Sequence, residues 1–228
     1  MELNLTYKLI LIALDDENGK FITDTAHLHY GIAGSILLEL ALQRRIALDG
    51  DNVVIVNKEN TSSPCLNKAL ELIDSAQKPG TISHWISLIG LGAEEVKDQT
   101  VEHLTRENIL RKDAGKILWI IPTTKFPTED PYLENQIRER LLDIVMNDGT
   151  ARLKDLMLLS LIEESDLVHE VFRSKEEYKK AKERLKNLPK DIENAEKTDD
   201  NIQAIMVSVS EGIISAIINS SNVSTTSD

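Results

Sequence analysis

Apolar residues recur along most of the chain with the spacing of one helix face, and only two segments break that spacing. Segment 32–42 is apolar on nearly every face and carries Glu39 as its only charge, so we expect a helix buried in the middle of the domain. The apolar spacing and the end signals predict helices over 3–14, 32–42, 64–77, 81–90, 96–111, 132–146, 152–162, 175–185 and 202–218. We expect the last of these helices to be largely buried.

Two segments favour β-hairpins instead. The run "IALDGDNVVIV" places two β-leaning stretches around Asp49-Gly50, a typical hairpin turn. In "KDAGKILWIIPTTKFP", we expect Asp113–Gly115 to turn the chain into the apolar run Ile117–Ile121, which Pro122 closes.

The order of these elements defines the fold class. Helices and strands do not alternate as they do in Rossmann or TIM folds. We therefore predict a mainly α protein, with a single helical-bundle domain over residues 1–219 and one or two short β-hairpins. The polar end, residues 220–228, is expected to be a disordered tail.

The charge balance argues against nucleic acid as a partner. The chain has 228 residues and a formal net charge of -12, so any site for phosphate must be local. Cys65 is the single cysteine, which excludes an intramolecular disulfide and fits the cytoplasm. The first 20 residues lack the basic start of a signal peptide, and no segment approaches the roughly 18 uninterrupted apolar residues of a membrane span.

Residues that carry chemistry form no catalytic pattern in the sequence. The pair His27-x-His29 lacks a third metal ligand, and Ser35 lies in "GIAGS" rather than in a G-x-S-x-G elbow. Cys65 follows Pro64 at a predicted helix start, a position that favours a lowered thiol pKa, but no histidine lies near it in sequence. We therefore predict no enzyme activity, no metal and no cofactor.

Several segments together resemble the GPP34 family, known from Golgi phosphoprotein 3. The matching order is "LILIALDDENGK", "GIAGSILLELALQRRIAL", "LNKALELI", "HWISLI" and "ARLKDLMLLSLIEESDLVHEVF", spread over residues 3–219. The resemblance implies one predominantly helical, non-catalytic domain. Eukaryotic members bind phosphatidylinositol 4-phosphate on Golgi membranes and act as adaptors for cytoplasmic tails of glycosyltransferases. A hydrophobic hairpin in the family contributes to membrane insertion and to oligomer contacts.

The headgroup-binding residues of the family are mostly replaced in this chain. The family's arginine between the two glycines of G-x-x-G corresponds to Ala33, and its stacking tryptophan corresponds to Asp24. Two further arginines align with Gln99 and Glu102, which leaves Arg106 as the nearest basic residue. Each lost contact to phosphate is worth about 1.5–3 kcal/mol, so we do not expect that lipid to bind tightly. The replacements suit a non-eukaryotic member.

Five basic residues are candidates for contact with an anionic lipid. They are Arg44, Arg45, Arg106, Arg111 and Lys112. Two interpretations of the Arg44-Arg45 pair stay open, because cations at the end of a helix also stabilise the helix dipole.

The apolar hairpin is the second candidate feature. Its run consists of Ile117, Leu118, Trp119, Ile120 and Ile121, next to Arg111, Lys112 and Lys116. In one interpretation, the apolar tip of the hairpin enters the headgroup layer of a membrane while the nearby lysines contact anionic lipid. The alternative is a strand that packs into the core or against a second subunit.

Two functions follow from these features. The first is a peripheral membrane or adaptor protein whose partner is an anionic membrane lipid or the cytoplasmic tail of a membrane protein. The second is a homo-oligomeric scaffold without lipid binding, held together through the hairpin. Both place the protein in the cytoplasm, and the first also places it at a membrane surface.

Overall fold

The computed structural model describes residues 3–117, 121–188, 190 and 199–224, with backbone only at 114–117, 121–124, 223 and 224. Ten helices and five strands lie in this described part. The helices are α1 (Leu5–Ile12), α2 (Thr25–Leu42), α3 (Pro64–Asp74), α4 (Ile82–Gly90), α5 (Ala93–Arg106), α6 (Tyr132–Met146), α7 (Leu153–Glu164), α8 (Val168–Val171), α9 (Lys175–Leu185) and α10 (Asp200–Ser224). The strands are β1 (Ile46–Asp49), β2 (Asn52–Ile55), β3 (Gly80–Thr81), β4 (Asp113–Ile117) and β5 (Ile121–Lys125). The mainly α prediction is confirmed.

Helix α2 forms the centre of the molecule and packs against α1, α4, α5, α7 and α10. Residues 31–41 are all buried, as the sequence predicts, and this includes Glu39 at 4% exposure. The Glu39 carboxylate accepts the Leu5 N–H at 2.8 Å, and Ser35 Oγ lies 2.7 Å from Thr6 Oγ1. These bonds fix α1 antiparallel to α2, with the start of α1 beside the last turns of α2.

The two glycines of the G-x-x-G segment allow neighbouring elements to approach α2. A Cβ at Gly31 would lie 2.1 Å from Ser165 Oγ, and one at Gly34 would lie 2.7 Å from Ile213 Cδ1 of α10. A Cβ at either position would force the Ser165 or the Ile213 side chain to move, so the observed close packing depends on the two glycines. The motif therefore has a packing role in this chain.

The sheet around the predicted Asp49-Gly50 turn has one more strand than expected. Strands β1 and β2 pair antiparallel with Ala47 opposite Val54, which confirms the hairpin. Strand β3 then pairs with β2 through Val53 and Gly80. No local pattern predicted β3, because Gly80 belongs to the helix-ending segment 78–80, Thr81 was assigned to the next helix, and both residues pair only with the distant strand β2.

Helix α10 departs from the prediction in burial and in length. One face packs on α2 and α4, but Val207, Ile214 and Ile218 are between 41% and 54% exposed, so the expectation of a largely buried helix is wrong for the other face. By length and composition this helix could cross a membrane, because its apolar stretch within residues 200–222 has a mean hydropathy of 1.5. A third of that stretch is buried inside the protein. It continues to Ser224, so the tail boundary predicted at residue 220 falls inside the helix.

Candidate functional site

The end of α2 positions the Arg44-Arg45 pair by backbone geometry. The Arg44 N–H donates to Ala41 O at 2.9 Å, and the Arg45 N–H donates to Leu40 O at 2.8 Å. This is the Schellman pattern, in which the residue after the cap is left-handed, and Arg44 has φ 53°. Arg44 is exposed, whereas the Arg45 side chain is largely covered and its Nη1 lies 3.5 Å from a Glu59 carboxylate oxygen.

Arg106 lies at the end of α5, on the same side of the molecule as the end of α2. Its exposed guanidinium is close enough to Tyr7, in the first turn of α1, to oppose a rise in the pKa of that phenol. Burial is the largest effect on Tyr7 and raises its pKa nevertheless. The Tyr7 ring lies 5.2 Å from the ring of His103, one turn before Arg106.

Arg111 and Lys112 lie outside α5, contrary to the predicted helix 96–111. Helix α5 ends at Arg106 because Asn108 takes the left-handed conformation, with φ 57°. Arg111 is exposed, but Asp113 at 3.3 Å and Glu129 at 3.6 Å offset its charge. Lys112 is exposed as well.

The five basic residues follow the end of α2, end α5 or directly precede β4. The Arg111 N–H donates to Pro127 O, and the Phe126 N–H donates to Gly19 O, both at 3.0 Å. The Leu110 N–H also donates to Leu104 O at 3.3 Å, so Arg111 follows a residue that is bonded to the last turns of α5.

The second predicted hairpin exists, but with a different turn. Asp113–Gly115 belongs to β4 rather than to a turn, because Asp113 pairs with Lys125 and Gly115 with Thr123. The register ends with Ile117 opposite Ile121, so the first and last residues of the apolar run form the last pair of the hairpin. Leu118, Trp119 and Ile120 lie outside the described residues.

None of the four positions aligned with the family's headgroup residues carries a positive charge here. Ala33 is fully buried in α2. Asp24 is the N-cap of α2 and accepts the N–H groups of Ala26 and His27. Burial would raise the Asp24 pKa, but the hydrogen bonds from His27 hold it below its ordinary value. Gln99 and Glu102 are exposed on α5. These four positions supply no cation for a phosphate.

The position of Cys65 at a helix start does not lower the pKa of its thiol. Burial raises the pKa of this thiol, which outweighs the hydrogen bond with Ser63 Oγ at 3.1 Å. Within the described ranges, no group of three or more His, Cys, Asp or Glu residues is placed to hold a metal ion.

Sequence reasoning missed a buried charge cluster around α6. Glu134 is 2% exposed, and its Oε1 accepts from Arg138 Nη2 at 2.6 Å. Burial raises the Glu134 pKa to about 7, together with the hydrogen bond that the protonated Glu134 carboxyl donates to the neighbouring Asp16 carboxylate. Asp16 also pairs with Arg173 at 2.9 Å. The glutamate and the arginine are one helical turn apart, a spacing that indicated only a surface pair.

Sequence reasoning also missed a basic cleft between α1, α6 and α7. Its charged residues are Lys8, Arg140, Arg152 and Asp155. One signal for it was visible in the sequence, since Lys8 is the only charge in α1. The other charged residues of the cleft lie more than 130 positions from Lys8 along the chain, so the sequence could not show that they meet it.

Comparison with known proteins places this fold in a family. The family model described as "Golgi phosphoprotein 3 (GPP34)" matches residues 5–205. Two curated relatives are both named "Vacuolar protein sorting-associated protein 74". The relative from Eremothecium gossypii is 25% identical over 166 residues, which cover 63% of this chain and 49% of the relative. The relative from Schizosaccharomyces pombe is 23% identical over 165 residues, which cover 63% and 48%.

The chain therefore spans about half the length of the curated relatives it matches. The family match runs from the first turn of α1 into α10 and includes the G-x-x-G helix at the centre of the fold. Since it covers most of the residues, this protein belongs to the Golgi phosphoprotein 3 (GPP34) family.

Proposed function

We propose that this protein is a non-catalytic docking protein of membrane traffic that contacts an anionic membrane surface through its β4–β5 hairpin. Membership of the Golgi phosphoprotein 3 family and the vacuolar sorting names of its relatives support a role in traffic rather than in catalysis. The proposal places the protein on the cytoplasmic side of the membrane. There the helical body is free to bind cytoplasmic tails of membrane proteins.

The observation that carries the proposal is the register of β4 and β5. Ile117 pairs with Ile121 at the last position of the register, and the three residues between them in the sequence are also apolar. The exposed Lys112 lies at its open end, next to Arg111, whose charge is offset by Asp113 and Glu129. An apolar tip with basic residues behind it suits insertion among headgroups, where apolar burial and attraction to anionic lipid add together.

The rest of the hairpin's surroundings are consistent with an outward-facing element. Strands β4 and β5 make their main contacts with each other, and the body holds them through the bonds of Arg111 and Phe126 near their open end. The net charge of -12 repels the body from an anionic surface, so the attraction must be confined to this segment.

The proposal does not include recognition of one phosphoinositide. The family positions for that headgroup are occupied by Asp24, Ala33, Gln99 and Glu102, which provide no positive charge. Binding is therefore expected to depend on the overall anionic charge of the vesicle and on salt, since exposed charges are screened over about 10 Å at 0.1 M ionic strength.

Co-sedimentation with liposomes tests the proposal. Wild-type protein is expected to sediment with vesicles that contain anionic lipid and to remain in solution with neutral vesicles. Trp119→Ala should weaken sedimentation about tenfold, because the tip loses its largest apolar side chain. Leu91→Ala is the matched control, since Leu91 is 82% exposed but lies in the turn between α4 and α5. Equal binding by wild type and Trp119→Ala at low salt would contradict the proposal.

The sheet topology favours a second candidate function. Within the described residues, β4 and β5 form a two-stranded sheet without a third strand, so both edges are open to pairing with a second copy. A homo-oligomeric scaffold would show a multiple of the monomer mass in light scattering, and Trp119→Ala would reduce that mass. A monomeric wild type that binds anionic vesicles would exclude this alternative.

A further inference from the structure

The cleft between α1, α6 and α7 combines basic and apolar residues. It has a volume of about 380 Å³. Lys8, Arg140 and Arg152 supply three positive charges, and Asp155 supplies one negative charge. The apolar part of the lining consists of Leu3, Leu133, Ile137, Leu141 and Leu158. An excess of positive charge in one cleft is notable in a chain with net charge -12.

Arg140 is held in place by its own partners. Its Nη2 donates to Thr150 O and to an Asp155 carboxylate oxygen, both at 2.7 Å, and its Nε donates to the same oxygen at 3.2 Å. The Asp155 carboxylate therefore pairs with Arg140 and also accepts the backbone N–H of Arg152 at 2.9 Å. This arrangement leaves the other two cations of the cleft without a carboxylate partner.

Lys8 and Arg152 are the two cations available to a ligand. Neither side chain forms an ion pair with a residue in the described part of the chain. Lys8 is partly covered in a helix whose other residues are apolar or uncharged, and Arg152 is exposed at the N-cap of α7. Their positions on two different helices converge only at this cleft.

We propose that the cleft binds an anionic amphiphile, with a phosphate or carboxylate group between Lys8 and Arg152 and a short aliphatic chain against the apolar lining. Charge-assisted hydrogen bonds hold the anionic group, and burial of the chain adds an apolar contribution. The cleft is separate from the β4–β5 hairpin, so this inference does not depend on the proposed membrane contact.

Calorimetric titration with single-chain probes tests the inference. Octyl phosphate and octanoate should bind saturably below their micelle concentrations. Inorganic phosphate, which has no chain, and octanol, which has no charge, should each bind at least fivefold more weakly. Displacement of octyl phosphate by vesicles that contain phosphatidate would identify a membrane lipid as the source, and its absence would identify a free amphiphile; both results support the site.

Variants assign the binding to these residues. Lys8→Ala and Arg152→Ala should each weaken octyl phosphate binding at least fivefold, and Lys8→Arg should retain most of it. Lys180→Ala, which removes an exposed charge on α9, is the matched control and should bind like wild type. Melting temperatures of all variants show whether they fold. The inference is overturned if octyl phosphate fails to bind the folded wild type, or if both alanine variants bind it as wild type does.

Discussion

Arg44 occupies a backbone position that an arginine side chain does not favour. Four helices end with a left-handed residue after the cap, and three of those residues are Asn108, Asp148 and Asp166, which tolerate this conformation. Arg44 is the exception, with φ 53°. The backbone bonds of the Schellman motif explain why α2 ends there, but they do not explain why the residue is arginine.

Replacing Arg44 with glycine is expected to stabilise the fold. Glycine adopts positive φ without steric cost, so Arg44→Gly should raise the free energy of unfolding by about 0.5–1 kcal/mol after the entropy of the unfolded chain is counted. Urea denaturation measures this. Arg44→Ala keeps the Cβ and serves as the control, with a change near zero. A loss of stability in Arg44→Gly would show that the side chain itself stabilises the helix end.

Glu134 should make stability depend on pH near neutrality. Its pKa is raised to about 7 in the folded protein by burial and by the neighbouring Asp16, while an unfolded chain releases the proton near 4.5. As pH rises from about 5 to 8, the unfolded state loses this proton first, so the free energy of unfolding falls, on the order of 2 kcal/mol.

Thermal or urea unfolding at several pH values isolates this effect. Glu134→Gln cannot titrate, so its stability should fall less than that of wild type between about pH 5 and 8. Asp16→Asn removes the neighbouring carboxylate, so the fall in the free energy of unfolding should occur at lower pH than in wild type. Parallel pH profiles for wild type and Glu134→Gln would contradict the assigned pKa.

At the scale of elements, the central feature is the close packing of α2 with α10. The sequence predicted a buried helix, since residues 32–42 are apolar almost all round, but it did not show which neighbour each glycine faces. Gly34 faces Ile213 and Val209, more than 170 positions later. Such a contact depends on tertiary packing, which local apolar spacing does not encode.

A methyl group at position 34 should force α2 and α10 apart. Gly34→Ala is expected to cost about 1–3 kcal/mol, because its Cβ would lie 2.7 Å from Ile213 Cδ1 in a fully buried contact. Ile213→Val removes that Cδ1 atom. The double variant should therefore be more stable than the sum of the two single losses, as a double-mutant cycle measures. If the losses of the two single variants simply add, the contact between residue 34 and Ile213 does not determine how closely α2 packs on α10.

The hairpins illustrate the limit of local patterns at the same scale. Both were predicted, because Asp49-Gly50 and the β-leaning run after Asp113 are local signals. The turn of the second was misplaced, since Asp113–Gly115 pairs with Thr123–Lys125 as part of a strand. An apolar run next to a glycine suits either a strand or a hairpin end, and only the pairing register distinguishes the two.

At the scale of the whole molecule, the fold class and the family could be predicted, but the distribution of charge could not. Arg45, Arg106 and Arg111 were predicted as candidates for contact with an anionic lipid. In the fold, Arg45 is largely covered and pairs with Glu59, and two carboxylates offset the charge of Arg111. The basic cleft instead combines Lys8 with Arg140 and Arg152, which come from distant segments. Charge clusters form in three dimensions, so composition alone does not locate them.

Tryptophan fluorescence tests the proposed membrane contact most directly. The chain has two tryptophans, and Trp85 is 1% exposed with its Nε1–H bonded to Gly80 O at 3.0 Å. A spectral change on adding vesicles therefore reports Trp119. We predict a blue shift with anionic vesicles, quenching by brominated acyl chains, and neither effect in Trp119→Phe. Unchanged wild-type emission with excess anionic vesicles at low ionic strength would contradict the account.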